Sequence, residues 1–132
     1  MEQKEPASLD RRWISLAAVL IALGVALGAF GAHALEPRLE PDALDTYMTA
    51  NRYHVWHALG MLVLAFFAGR QLAGVLWLLL VGLLLFSGSL YALAMTGTGW
   101  LGAITPLGGA SWIAAWLWLA FAARRLNEPQ TE

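Results

Sequence analysis

From Gln71 to Ala123 the chain runs 53 residues without an Asp, Glu, Lys or Arg. Ordinary globular sequences carry roughly one charged residue in four, so a run of this length cannot face water over most of its surface. A helix that crosses a bilayer needs about 20 apolar residues at about 1.5 Å rise each, and the run therefore holds two spans. Two shorter uncharged stretches precede it, Trp13 to Leu35 and Tyr53 to Gly69. The pattern predicts four spans. Composition agrees: 59% of residues are hydrophobic and 13% charged, more apolar surface than a soluble domain of this length could bury.

The expected architecture is an all-α, four-transmembrane-helix bundle with a short outer amphipathic helix before the second span. The spans are placed at about 13–35, 53–69, 72–95 and 105–124, forming one domain over 13–124 between short cytoplasmic tails, 1–12 and 125–132. Arg11 and Arg12 ahead of an apolar run ending in Ala32-His33-Ala34 imitate a cleavable signal. The run is longer than a signal core of about 7–15 residues, so it reads as a retained span. Pro37 and Pro41 forbid one continuous helix through the first loop. Beyond Pro41, Leu44, Tyr47 and Met48 share a face, which suggests a turn or two lying on the membrane surface. Gly69-Arg70-Gln71 reads as a tight turn, and Thr96-Gly97-Thr98-Gly99 as the break after the third span. Thr105 is placed as the N-cap of the last helix, with Pro106 in its first turn. Trp13, Trp56, Trp100 and Trp118 fall near the expected interfaces and read as anchors.

Lys and Arg set the orientation. Lys4, Arg11, Arg12, Arg70, Arg124 and Arg125 lie on one side, Arg38 and Arg52 on the other. Six against two places both termini in the cytoplasm, in a cytoplasmic (inner) membrane.

Several functions are excluded or left without support. Net charge is −1 and no basic run occurs, so nothing indicates nucleic-acid binding. The chain has no cysteine, which removes disulfides, thiolate metal sites and a thiol nucleophile. No catalytic triad, carboxylate pair, HExxH or phosphate loop is present, and the expectation is a protein without enzymatic activity.

Only His33, His54 and His57 titrate near neutrality in or beside the spans, and the expected topology puts all three at the outer end, with Tyr53, Ser87, Ser89, Tyr91, Thr96 and Thr105 in the same half. Three readings follow. The polar groups hydrogen-bond one another and the helix ends, because an unpaired group in lipid costs several kcal/mol. Alternatively, His33 and His57 hold a haem, or the imidazoles hold copper or zinc with Met61 as a soft ligand. In the third reading the cluster binds a lipid head group, quinone or small solute. Gly24, Gly28 and Gly31 form a small-residue stripe suited to close helix packing, against this chain or a second copy, and Gly88, Gly108 and Gly109 are read the same way.

Phe30-Gly31-Ala32-His33, Tyr53-His54-Val55-Trp56-His57-Ala58-Leu59, Leu85-Phe86-Ser87-Gly88-Ser89-Leu90-Tyr91 and Thr105-Pro106-Leu107-Gly108-Gly109 together resemble the small bacterial inner-membrane proteins grouped as domain of unknown function 423, related to the transmembrane protein 256 family. The resemblance covers about residues 13–124 and implies a four-span membrane protein with no established activity. It also implies that such proteins often have Gln in place of His54, which leaves a His33–His57 pair as the more durable ligand set. The favoured expectation is an accessory, interaction or lipid-binding protein, with the bilayer and another membrane protein or a homo-oligomer as partners. Haem or metal binding stands as the alternative, and an oligomeric channel or transporter as a further one.

Overall fold

The computed structural model describes residues 10–67 and 72–126 and is helical throughout. Among the described residues four helices pack side by side: α1 over Arg11–Leu35, α2 over Pro41–Phe67, α3 over Ala73–Thr96 and α4 over Thr105–Leu126. Each antiparallel neighbour in sequence is a neighbour in space, with α2 and α3 central and α1 and α4 flanking them. Asp10 caps α1 by accepting from the Arg12 backbone N–H at 3.2 Å. This satisfies one of the orphan donors that every helix start leaves. At the other end of α3, Gly97 takes φ +67° and donates to Leu93 O at 2.8 Å. That left-handed turn suits glycine and stops the helix. Gly99–Ala103 then winds as a short 3-10 turn.

A wide π-helical turn ends α1 at Gly31–Leu35, and another interrupts α3 at Leu83–Ser87. The one in α3 faces the site described below. The main apolar core gathers Trp13 and Ala17 of α1, Ala58, Met61 and Leu64 of α2, Val75, Leu76 and Leu79 of α3, and Trp112 and Ala115 of α4. A smaller cluster joins Leu35, Tyr47 and Ala94.

Two expectations are corrected. The separate amphipathic helix does not exist, because α2 runs unbroken for 27 residues from Pro41. Its apolar face, Leu44, Tyr47 and Met48, packs on Leu27, Leu35 and Ala94 rather than lying on a membrane surface. Trp13 is not an interfacial anchor but a core residue, edge-on to Trp77 with ring centroids 5.1 Å apart. Among the described residues three helical segments are long and apolar enough to cross a membrane: Arg11–Leu35, Ala73–Thr96 and Gly99–Arg124. α2 has the length, but Asn51, Arg52, His54 and His57 lower its hydropathy. The expected turn at Gly69-Arg70-Gln71 lies within or beside the undescribed residues, and the tails fall mostly outside the described ones.

Candidate functional site

The polar groups of α2 are organised by one spacing. Tyr47, Asn51 and His54 follow one another at i, i+4 and i+7, so they lie on one helical face. Gly24, Gly28 and Gly31 repeat the same spacing on α1. Because the helices run antiparallel, Gly31 meets Tyr47, Gly28 meets Asn51 and Gly24 meets His54. A Cβ at Gly28 would come within 2.8 Å of Asn51 Oδ1, and one at Gly31 within 2.7 Å of Tyr47 Cε1. The glycines thus let α2 side chains reach backbone carbonyls of α1. Tyr47 Oη donates to Leu27 O at 2.8 Å, Asn51 Nδ2 to Gly24 O at 2.7 Å, and His54 Nε2 to Leu20 O at 2.8 Å.

That last contact fixes the tautomer. A carbonyl can only accept, so His54 carries its proton on Nε2 and presents a bare Nδ1. Tyr91 Oη, 3.1 Å away, therefore donates to Nδ1 and accepts from Asn51 Nδ2, also at 3.1 Å. Tyr91 is the hub through which α3 joins the α1–α2 seam. Beside it Ser87, fully buried at the end of the π-helical turn, donates to Ala50 O at 2.8 Å. Ser89 donates to Phe86 O at 3.0 Å and meets Thr105 Oγ1 at 2.7 Å, which ties α3 to the start of α4. Thr105 is already within the helix, and its hydroxyl donates to Ser89 rather than capping. Among the described residues no buried side-chain nitrogen or oxygen lacks a partner.

His57 stands apart from this network. Its ring stacks on Trp112 with centroids 3.5 Å apart and planes 5° from parallel. Tyr53, Phe86 and Trp116 surround the pair. Gly82 is what admits Trp112, since a Cβ there would run into the indole, whose Nε1 donates to Leu79 O at 3.0 Å. The Cα traces of α2 and α4 stay apart, and these rings fill the space between them. His57 Nδ1 donates to Tyr53 O at 2.8 Å.

The three histidines are not brought together. His33 is exposed at the end of α1. His54 and His57 lie about 20 Å or more along α2 from its start at Pro41, at about 1.5 Å per residue. His54 reaches Leu20, near the middle of α1. The sequence placed these histidines at an outer helix end because it began the helix at Tyr53; with α2 beginning at Pro41, they fall well inside it. Among the described residues no group of three His, Asp or Glu side chains could share a metal ion, and Met61 is sealed in the apolar core. The glycines also divide. Gly108 is packed so tightly that a Cβ would collide with the Phe86 backbone nitrogen, Gly109 makes ordinary contact with the Phe86 ring, and a Cβ at Gly88 would meet nothing within 4 Å. Sequence reasoning missed Asn51 and Gly82. The repeated i, i+4, i+7 spacing was the available signal for Asn51.

The family described as protein of unknown function (DUF423) matches residues 27–109. The UPF0382 membrane protein YwdK of Bacillus subtilis is 45% identical over 117 residues, covering 84% of this chain and 94% of the relative. A UPF0382 membrane protein of Haemophilus influenzae is 38% identical over 87% of this chain and 95% of its own length. The UPF0382 inner membrane protein YgdD of Escherichia coli is 35% identical over 89% and 93%. No solved structure matches. With a family match across the helices that build the polar seam, and relatives similar along nearly their whole length, the chain belongs to the DUF423 family of membrane proteins.

Proposed function

We propose that this protein is a four-span, non-enzymatic protein of the cytoplasmic membrane, with both termini in the cytoplasm, whose polar interior holds the helices together and whose lipid-facing surface receives a partner. The observation that carries this is the chain Asn51 to Tyr91 to His54, which ends on the carbonyls of Gly24 and Leu20 and spends each donor inside the protein. Groups committed in this way stabilise a bundle; they do not wait for a substrate. In lipid the network also keeps polar groups paired that would otherwise cost several kcal/mol each.

The same network supports α2 as the fourth span. Its polar side chains turn inward, while Trp56, Leu59, Val63, Phe66 and Phe67 are exposed at spacings of three and four that form an apolar outer stripe. Arg52 is exposed as well, and its long stem lets the guanidinium reach the outer surface. The distribution of Lys and Arg, six against two, sets the termini inside.

The chain's lack of cysteine makes a direct topology test available. Single cysteines at Gln3, Glu40 and Gln130 are labelled in intact cells with a membrane-impermeant maleimide. Glu40→Cys is expected to react from outside, and Gln3→Cys and Gln130→Cys only after lysis. Gln3→Cys and Gln130→Cys reacting from opposite sides would mean three spans and overturn the proposal. A second measurement addresses cofactors. Detergent-purified protein is expected to show no visible absorption band and no stoichiometric metal. A Soret band, or one metal per chain that disappears in His57→Ala, would replace the non-enzymatic reading with a cofactor-binding one.

A further inference from the structure

His57 is the one histidine of α2 whose bonding is left half-finished. It is 9% exposed, and its Nδ1 lies 2.8 Å from the Tyr53 carbonyl. That oxygen can only accept, so the proton of the neutral ring sits on Nδ1 and Nε2 is a bare lone pair. Nε2 has no hydrogen-bond partner among the described residues, and yet no side-chain nitrogen or oxygen sealed from the surface lacks one. Nε2 therefore reaches the surface of the molecule. It does so in the seam between α2 and α4, where Trp112 covers one face of the imidazole. Trp116 flanks the ring with its centroid 6.0 Å away and packs against Gly60. Tyr53, whose hydroxyl also has no partner among the described residues, stacks beside it at 6.2 Å. Around the seam Trp56, Leu59, Trp116 and Ile113 are exposed. If α2 is a span, lipid tails cover this opening, and they offer no hydrogen-bond donor.

We propose that the seam between α2 and α4 at His57 is a binding site for an uncharged, lipid-soluble molecule carrying a hydroxyl group, which donates to His57 Nε2 and lays its apolar or aromatic body against Trp116 and Trp56. The inference rests on the reading of α2 as a span, which the cysteine labelling tests separately. The ligand must donate, because the Tyr53 carbonyl pins the ring in the tautomer that accepts. It is uncharged because the surrounding surface is aromatic and aliphatic, and a charge at this depth would be costly without a partner. Two kinds of compound share this chemistry: a phenolic hydroxyl, as in a benzoquinol, and an aliphatic isoprenoid alcohol.

The test is the side-chain nitrogen spectrum of protein with ¹⁵N-labelled histidine in phosphatidylcholine nanodiscs, a lipid with no hydroxyl donor. His57→Asn, which keeps a donor for the Tyr53 carbonyl but removes Nε2, identifies the resonance. Addition of a short-chain benzoquinol or of farnesol is expected to move Nε2 upfield in a saturable way while His54 stays still. The matching benzoquinone, with the same ring and no hydroxyl, is expected to leave it unmoved. A response to the quinol alone assigns a phenolic ligand, and a response to farnesol alone an isoprenoid alcohol. No response to either, or an equal response to quinone and quinol, overturns the proposal. So does an Nε2 already shifted in bare nanodiscs in proportion to protein loading, since a second copy of the chain would then be the donor. Tyr53→Phe serves as the milder variant: it removes one oxygen and leaves the stack in place, and it is expected to weaken quinol or farnesol binding about fivefold or less, the effect of one hydrogen bond.

Discussion

Gly108→Ala is expected to destabilise the protein by about 3 kcal/mol, towards the upper end of what overpacking one methyl group costs. The magnitude follows from what the methyl would strike. At Gly24 and Gly82 the nearest atoms belong to the side chains of Val55 and Trp112, which can rotate or shift. At Gly108 they are the backbone nitrogen, Cα and Cβ of Phe86. Backbone in a helix cannot move aside alone, so α3 and α4 must separate. That separation loosens the Ser89–Thr105 bond above the contact and the Ser111–Leu78 and Trp112–Leu79 bonds below it. Gly88→Ala is the matched control. It lies in the same part of α3, has no neighbour within 4 Å of its Cβ position, and is expected to be neutral or to gain up to about 1 kcal/mol in helix propensity. Unfolding in dodecylmaltoside–SDS mixed micelles, followed by tryptophan fluorescence, measures both. Equal midpoints for the two variants would show that α3 and α4 do not approach at Gly108.

Gly88 and Gly108 also show how much of this protein can be read from its sequence. Hydropathy fixes where apolar helices lie: α1, α3 and α4 begin and end within two residues of the expected spans. It says little about which small residue faces a neighbour. Both glycines sit in motif-like settings, and only the packed helices distinguish a contact with backbone from open surface. The seating of the first half of α2 was missed for a related reason. Pro41 through Arg52 is polar enough to resemble a surface segment, because hydropathy averages around a helix and cannot see that Tyr47 and Asn51 face inward. Extending the helix by those twelve residues moved His54 and His57 from a helix end to its interior. The matching spacings of Gly24, Gly28 and Gly31 and of Tyr47, Asn51 and His54 were present in the sequence. Their meaning depended on pairing α1 with α2 in antiparallel register, which a single sequence does not specify. His57 was identified as chemically notable from residue type alone. Its stacking on Trp112 links residues 55 positions apart and required the fold.

Tyr91→Phe is expected to cost about 2 kcal/mol, although it deletes a single oxygen. Individual hydrogen bonds in membrane proteins contribute about 0.6 kcal/mol on average, because freed groups find other partners. Here they cannot. Without the hydroxyl, the second N–H of Asn51 and Nδ1 of His54 both lose their partner, and each orphaned buried group costs about 1–3 kcal/mol. His54 cannot recover by moving its proton to Nδ1, since Nε2–H is held by the Leu20 carbonyl. The phenylalanine ring keeps the edge contact with Tyr47, whose centroid is 4.9 Å from that of residue 91, so little packing is lost and the effect isolates the hydroxyl. A double-mutant cycle with Asn51→Ala separates a chain from a set of independent bonds. If Asn51, Tyr91 and His54 act as one chain, Asn51→Ala costs about 1 kcal/mol less in the Tyr91→Phe background than alone, because one of the stranded donors leaves with it. Additive costs would mean that α3 is not held to the α1–α2 seam through Tyr91. The polar interior would then be three separate contacts, and the case for it as the device that joins the helices would fail.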